Sequence, residues 1–276
     1  MSFFKGKTAI ISGAATGLGR ALCEELARRG ATVAVTGLST TEVQPLVDTI
    51  NAAGGNAFAL QMDVRKREQI QAAIDHVRQH YGRLDYFFNN AGVAYIGEFE
   101  DATDTAVDNL MQTNGVAVVF GSLYAYRAMK AQGGGHIINI SSMAGIIPTP
   151  NIAVYSAAKH AVVGLSASIR TEGEAHGIKV SVVCMGLVKS EILRRADMPG
   201  MNHMTYEKLL GFPAWETSRA ANYVLRGVER NSAYIVMPFY ARILWWIQRM
   251  SPALFVPMAR ASLKAFRKAS NPKTAV

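Results

Sequence analysis

Short apolar runs rich in β-branched residues alternate along this chain with longer amphipathic stretches. The runs predict strands near 8–12, 32–36, 56–61, 84–88, 136–141, 179–184 and 233–236. The stretches between them predict helices near 18–29, 41–53, 66–81, 103–131, 152–176 and 217–229. Four to eight apolar residues bounded by turn signals read as strands covered on both faces. A helix between each pair of strands supplies the crossover that parallel strands need. The expected fold class is therefore α/β: one doubly wound parallel sheet of about seven strands flanked by helices. In such sheets the ligand crevice lies beyond the carboxyl ends of the strands. Gly13, Asn90, Ser142 and Met185-Gly186 all fall at such ends.

Candidate chemistry sits at those ends. Thr8-Ala-Ile-Ile-Ser12 leads into Gly13-Ala-Ala-Thr-Gly17-Leu-Gly19 and then a helical stretch. Strand, glycine turn and helix are the parts of a dinucleotide site, with the pyrophosphate charge met by the helix N-terminus. Tyr155 and Lys159 are four residues apart and share a helix face, and Ser142 closes the apolar run 137–140 upstream. A phenol needs its pKa lowered from about 10 toward 7 to exchange protons at neutral pH. A neighbouring ammonium and a cationic nicotinamide are expected to do this for Tyr155.

In sequence the chain resembles a short-chain dehydrogenase/reductase, over about 230 residues from Lys5 to Pro238. Ser12-Gly-Ala-Ala-Thr-Gly-Leu-Gly19 is similar to the family's glycine turn, Asn89-Asn-Ala-Gly92 to the motif closing strand four, and Met185-Gly186-Leu-Val-Lys-Ser190 to the segment after strand six. The resemblance implies a Rossmann fold and a catalytic set of Asn114, Ser142, Tyr155 and Lys159, with Asn114 holding a water next to Lys159. It also implies dinucleotide contacts from Gly13, Ala15, Thr16, Gly17, Leu18, Gly19, Leu38, Ser39, Asp63, Val64, Asn90, Ala91, Gly92, Tyr155, Lys159, Gly186, Val188 and Ser190. The expected activity is NAD(P)-dependent interconversion of a ketone or aldehyde and its alcohol. The alternative is a catalytically weak dinucleotide-binding regulatory protein, which loss of Ser142, Tyr155 or Lys159 would favour; none is lost. An epimerase or dehydratase is disfavoured by the short chain and the Asn89-Asn-Ala-Gly92 pattern.

The second strand bears on cofactor choice. NAD enzymes of this type place an acid at its end, where this chain has Gly37. That absence points to NADP, with NAD still open. Leu38 stands where NADP enzymes often have arginine, so Ser39, Thr40 and Thr41 are left to bind a 2′-phosphate.

The substrate region is expected at residues 187–214, an apolar lid carrying Met198, Met201, Met204, Leu209, Leu210 and Phe212. Methionines suit an adaptable surface; simple packing of the lid on the core is the plain alternative. Ser142, Ile147, Tyr155, Met185 and Met198 are the expected substrate contacts, with Val93, Tyr95, Ile96 and Ile146 on the remaining walls. No carboxylate-binding arginine pair accompanies them, so a lipophilic substrate is expected.

Composition adds limits. Half of the 276 residues are hydrophobic, enough for one large core, with residues 1–238 as the catalytic domain and 239–276 as an extension. Cys23 and Cys184 give no disulfide framework, the six histidines have no metal-ligand spacing, and Met1–Lys7 does not read as a signal peptide; a cytoplasmic location, with membrane association open, is expected. Of the net charge of +9, eight bases lie after Glu229 (Arg230, Arg242, Arg249, Arg260, Lys264, Arg267, Lys268 and Lys273) with no acid among them. The same segment holds Ile243-Leu-Trp-Trp-Ile247, and Pro252 and Pro257 divide it into short helices. On a wheel Arg260, Lys264, Arg267 and Lys268 oppose Phe255, Met258, Ala259 and Phe266. Two readings stay open: peripheral membrane association, or an arm docked on its own or a partner subunit. A local charge mixed with large apolar residues argues against nucleic acid. Apolar residues on several sides of 103–131 (Val116, Val118, Val119, Phe120, Leu123) and 152–176 (Val162, Val163, Leu165, Ile169) predict a homodimer or homotetramer.

Overall fold

The computed structural model describes residues 2–270; Lys273 lies outside them. Seven strands form one parallel sheet: β1 (Thr8–Ile11), β2 (Thr32–Gly37), β3 (Asn56–Gln61), β4 (Tyr86–Asn89), β5 (Gly135–Ile140), β6 (Ile178–Met185) and β7 (Tyr234–Met237). Their order is β3-β2-β1-β4-β5-β6-β7. The order reverses direction between β1 and β4, which creates the expected crevice at their carboxyl ends. Strands β1 and β4 are buried at every position, as central strands covered on both faces must be.

One face carries α1 (Gly17–Arg28), α2 (Thr40–Ala52) and a later helix, Thr217–Glu229. Leu22, Leu26, Val43 and Val47 pack there on Val33, Val35 and Phe88. The other face carries α3 (Arg67–Tyr81), α4 (Asp104–Met111), α5 (Ala117–Ala131) and α6 (Ala153–Gly173). Ile70, Ile74, Ala125 and Met129 meet Ile10, Phe87 and Ile137 there. A buried polar chain ties α5 and α6 to the sheet: Asn89 Nδ2 donates to Asn139 Oδ1 at 2.8 Å, and Asn139 Nδ2 donates to Ser166 Oγ at 2.9 Å.

Three segments depart from the expected elements. The predicted helix over 103–131 is interrupted by a π-turn, Gln112–Val116. Such turns accommodate one extra residue, and here Thr113, Asn114 and Gly115 are all buried. The lid holds an unpredicted helix, α7 (His203–Leu210). Asn202 caps it through its side chain, and Gly211, with φ of 64°, ends it; the helix was hidden by the glycines and prolines around it. After α8 (Thr217–Glu229) and β7 come α9 (Phe239–Met250) and α10 (Val256–Ser270). Pro252 opens a 3₁₀ turn between them. Pro257 does not divide the segment further: it sits in the first turn of α10, where no helical N–H bond is lost.

Part of the apolar side of α10 and of the turn before it is docked. Phe255 and Phe266 are buried, Phe266 against Ile96 and Tyr206. Arg267 donates through Nε and Nη2 to both carboxylate oxygens of Glu98, at 2.6 Å each. The arm thus lies on its own subunit.

Candidate active site

The glycine turn fits a group pressed close to the backbone. Gly13 and Gly17 have φ of 61° and 59°, a region that glycine enters freely. A Cβ on Gly19 would stand 2.4 Å from the Gly13 carbonyl oxygen and 2.6 Å from Asn90 Nδ2. The turn is clamped from β4: Ser12 Oγ accepts from the backbone N–H groups of Asn90 and Ala91 at 2.8 and 2.9 Å, and Asn90 Nδ2 donates to the Ser12 and Gly13 carbonyls. Thr16 makes no side-chain cap to α1, and its first turn carries no acid. The positive end of that helix therefore faces the cleft with no acid of its own in the first turn, as an anion site requires.

At the carboxyl end of β5, Ser142 Oγ accepts from the Ala144 N–H at 3.2 Å and lies 3.5 Å from the Met185 carbonyl. Helix α6 brings up Tyr155 and Lys159, held close because Gly145 leaves no Cβ; one there would meet the Lys159 carbonyl oxygen at 2.6 Å. Lys159 is 3 % exposed. Its Nζ donates to the Ile140 carbonyl at 2.9 Å and lies 5.6 Å from the Tyr155 ring centroid.

Burial sets both proton affinities. It pushes the Tyr155 phenol up to about 12, and the neighbouring Ser142 hydroxyl draws it back only in part. Burial brings the Lys159 ammonium down to about 8. Among the protein's own groups burial outweighs any lowering of the phenol pKa, and Lys159 Nζ is engaged by the Ile140 carbonyl. The nicotinamide charge that the expectation also invokes adds to this balance when the dinucleotide binds.

These groups line one cleft of about 920 Å³, with Gly13, Ala15, Thr16, Gly17, Leu18, Gly19, Leu38, Asp63, Asn90, Ala91, Gly92, Gly186, Val188 and Ser190 on its walls, and with Ile147 and Met185. Asp63 is bound by Arg65 through both carboxylate oxygens, and that guanidinium holds its carboxyl below the usual range.

Four expected contacts are not on the wall. Asn114 stands behind it, fully buried, accepting from the Val93 N–H at 2.9 Å and donating to the Val93 carbonyl at 2.8 Å. Ser39 turns away because its hydroxyl caps α2, accepting from the Glu42 N–H. Val64 packs into the core beneath β3. Met198 packs with Met201 on the Ile96, Tyr206 and Phe266 cluster and these two anchor the lid; Met204 points outward, and Leu209, Leu210 and Phe212 line the cleft. Tyr95 and Ile146 also lie behind the surface, buried in apolar clusters, whereas Val93 and Ile96 reach it.

Sequence reasoning missed two parts of the wall. Glu42 reaches back over the end of β2, where its Oε2 accepts from the Leu38 N–H at 3.0 Å. The spacing Ser39-x-x-Glu42 is a capping-box signature that could have revealed it. The second part is the arm: Tyr240 and Leu244 of α9, with Met258, Ala261, Ser262 and Ala265 of α10, close the far end of the cleft.

A family profile described as short chain dehydrogenase matches residues 7–198. The chain belongs to the short-chain dehydrogenase/reductase family. This dehydrogenase/reductase is 30 % identical over 271 residues to a Mycobacterium tuberculosis protein carrying the name oxidoreductase SadH, covering 96 % of this chain and 98 % of that one. A solved short-chain dehydrogenase/reductase from Burkholderia phymatum in complex with NAD superposes with a TM-score of 0.83 at 25 % identity, covering 92 % of this chain and 96 % of that one. A metagenomic short-chain oxidoreductase in complex with NADP superposes at 0.64 with 33 % identity, over 67 % and 85 % of the two chains. The dehydrogenase/reductase is accordingly an oxidoreductase that uses a nicotinamide dinucleotide. Among the described residues no cluster of metal-ligating side chains exists.

Proposed function

We propose that this enzyme interconverts a lipophilic ketone or aldehyde with its alcohol, and that Tyr155 is its acid and base. The observation that carries the reading is the meeting of Ser142, Tyr155 and Lys159 on the floor of a cleft whose far walls are apolar. The glycine turn with Asn90, Ala91 and Gly92 would hold the dinucleotide, which would supply or accept the hydride at the substrate carbon. Tyr155 gives its proton to the carbonyl oxygen, so the phenol O–H breaks as the alcohol O–H forms. The Ser142 hydroxyl donates to that oxygen as charge develops on it. Lys159 stabilises the resulting phenolate, which recovers a proton from solvent. Asn114 acts on Val93 and so fixes the wall beside Lys159. Ile147, Leu193, Leu209, Leu210 and Phe212 favour an apolar substrate body over a sugar or hydroxy acid.

Glu42 favours NAD. Its carboxylate lies over Gly37, within 2.8 Å of where a Cβ there would be. From that position it can accept from ribose hydroxyls and would repel a 2′-phosphate. Sequence pattern alone favours NADP because Gly37 is not acidic; the missing acid is here supplied from the first turn of α2. Glu42→Arg should shift the ratio of kcat/KM for NADP over NAD upward by about tenfold or more. An unchanged ratio would remove Glu42 from the argument.

The reaction is tested with Tyr155→Phe, assayed by nicotinamide absorbance against a panel of lipophilic ketones and alcohols. Turnover should fall by about 10²–10⁴, with dinucleotide binding retained by fluorescence titration. Substantial activity in this variant would end the assignment.

A further inference from the structure

Helix α9 turns a run of large apolar residues to water. Ala241 is buried and Leu244, Trp245 and Gln248 are half-buried, whereas Phe239, Ile243, Trp246, Ile247 and Met250 are exposed. At 100° per residue these five fall within roughly 100° of arc. Phe239, Trp246 and Met250 are 73 %, 64 % and 82 % exposed, and Leu254 just beyond is 64 % exposed. A contiguous apolar stripe of this kind on a folded surface marks an interaction site.

The charges beside the stripe select what covers it. Arg242 and Arg249 flank it on the same helix. Arg242, Arg226 and Arg230 also line a small pocket of about 140 Å³ next to α9, a size suited to a single phosphate group. No ion pair among the described residues engages Arg226, Arg230, Arg249, Arg260, Lys264 or Lys268, and no acid follows Glu229. Pairing two copies of this face would bring like charges together without an acid in the segment to offset them. An anionic lipid surface offers hydrocarbon to the stripe and phosphate to the arginines at once.

We propose that this enzyme docks on anionic membrane through the outward face of α9, with Arg226, Arg230 and Arg242 taking lipid phosphate. Among the described residues no helix is long and apolar enough to cross a membrane, so the contact is peripheral. Tyr240 and Leu244, which line the cleft, adjoin the edge of the stripe on the same helix. Tyr240 stacks on Phe212 of the lid with centroids 4.5 Å apart. Docking therefore brings the α9 end of the cleft to the lipid surface, where an apolar substrate is concentrated. The docking itself does not depend on which substrate the enzyme takes.

The test is co-sedimentation of the full chain with phosphatidylcholine vesicles, with and without about a third phosphatidylserine. Binding is expected to the anionic vesicles at low salt, weakening as salt screens the charges. The double variant Ile243→Glu, Trp246→Glu should lose about tenfold or more in partition, and Arg226→Gln with Arg230→Gln about fivefold for each base removed. Circular dichroism and turnover of a water-soluble substrate should be unchanged in both variants, which separates a failed docking surface from a failed enzyme. Full-length protein left in the supernatant at low salt overturns the proposal. So does an oligomer, seen by sedimentation velocity, that the Ile243→Glu, Trp246→Glu variant dissociates, since a second copy would then own the face.

Discussion

Replacing Lys159 by Met should make the protein more stable at neutral pH while removing its activity. The ammonium is held almost wholly out of water, and burial brings its pKa from 10.5 down to about 8. At about 1.4 kcal/mol per pH unit, that corresponds to about 3 kcal/mol of cost for keeping the buried charge. Methionine fills a similar length without charge. Loss of the donor to the Ile140 carbonyl offsets about 1 kcal/mol, leaving a net gain of about 2 kcal/mol. For a chain of this size, at about 2 °C per kcal/mol, this is a rise in Tm of about 4 °C. The pH dependence fixes the cause. Folded Lys159 holds its proton less tightly than an unfolded lysine, so the wild-type disadvantage is complete below pH 8. It shrinks as pH rises toward 10.5, where the unfolded lysine is also neutral. Thermal melts of both proteins from about pH 6 to about pH 10 test this. A Met variant less stable than wild type at pH 7, or a gap that does not narrow by pH 10, refutes the reasoning.

Gly19→Ala should abolish dinucleotide binding, because its Cβ would collide with the Gly13 carbonyl and Asn90; isothermal titration with NAD reads the loss. Asn114→Ala leaves the Val93 N–H and carbonyl without their partner and should cost about 2–4 kcal/mol in chemical denaturation, with a lower kcat. Truncation after Pro238 strips the Phe266 partner from Ile96 and Tyr206 and opens the cleft, so KM for a bulky apolar substrate should rise about tenfold or the protein should aggregate; unchanged kinetics would place the arm outside the site. We propose a dimer or tetramer through α5 and α6, where Val119 is 42 % exposed; a monomeric mass by light scattering at micromolar concentration excludes it.

The parallel sheet was legible because each strand is short, apolar and bounded by turn residues, and because helix-length stretches separate them. The gathering of residues at the cleft was legible for a related reason: Ser12, Asn90, Ser142 and Gly186 follow strand ends, and topology gathers strand ends. What escaped was whatever depends on contacts distant in sequence. Glu42 belongs to a helix by pattern, and only folding shows its carboxylate lying over Gly37. Nothing local tells that Met198 packs inward while Leu209 faces the cleft, since both are apolar residues in an irregular segment. The arm was read correctly as basic and amphipathic, but its two helices have opposite fates. Part of the apolar side of α10 is spent on Ile96 and Tyr206, and that of α9 is left outside. A wheel reports that a helix has an apolar side; it does not report which side the rest of the protein has already covered.

The placement of α10 on the cleft wall has a consequence for how the molecule comes into being. Synthesis delivers the glycine turn first, Tyr155 midway, and the wall that shapes the far end of the cleft last. On the proposed mechanism, a nascent or clipped chain holds Ser142, Tyr155 and Lys159 while lacking the α9 and α10 wall of the cleft. The same separation makes the terminal helix an exchangeable part: Ala261, Ser262 and Ala265 can be enlarged, or the helix swapped, to redirect which molecules enter without any change to the residues that react with them.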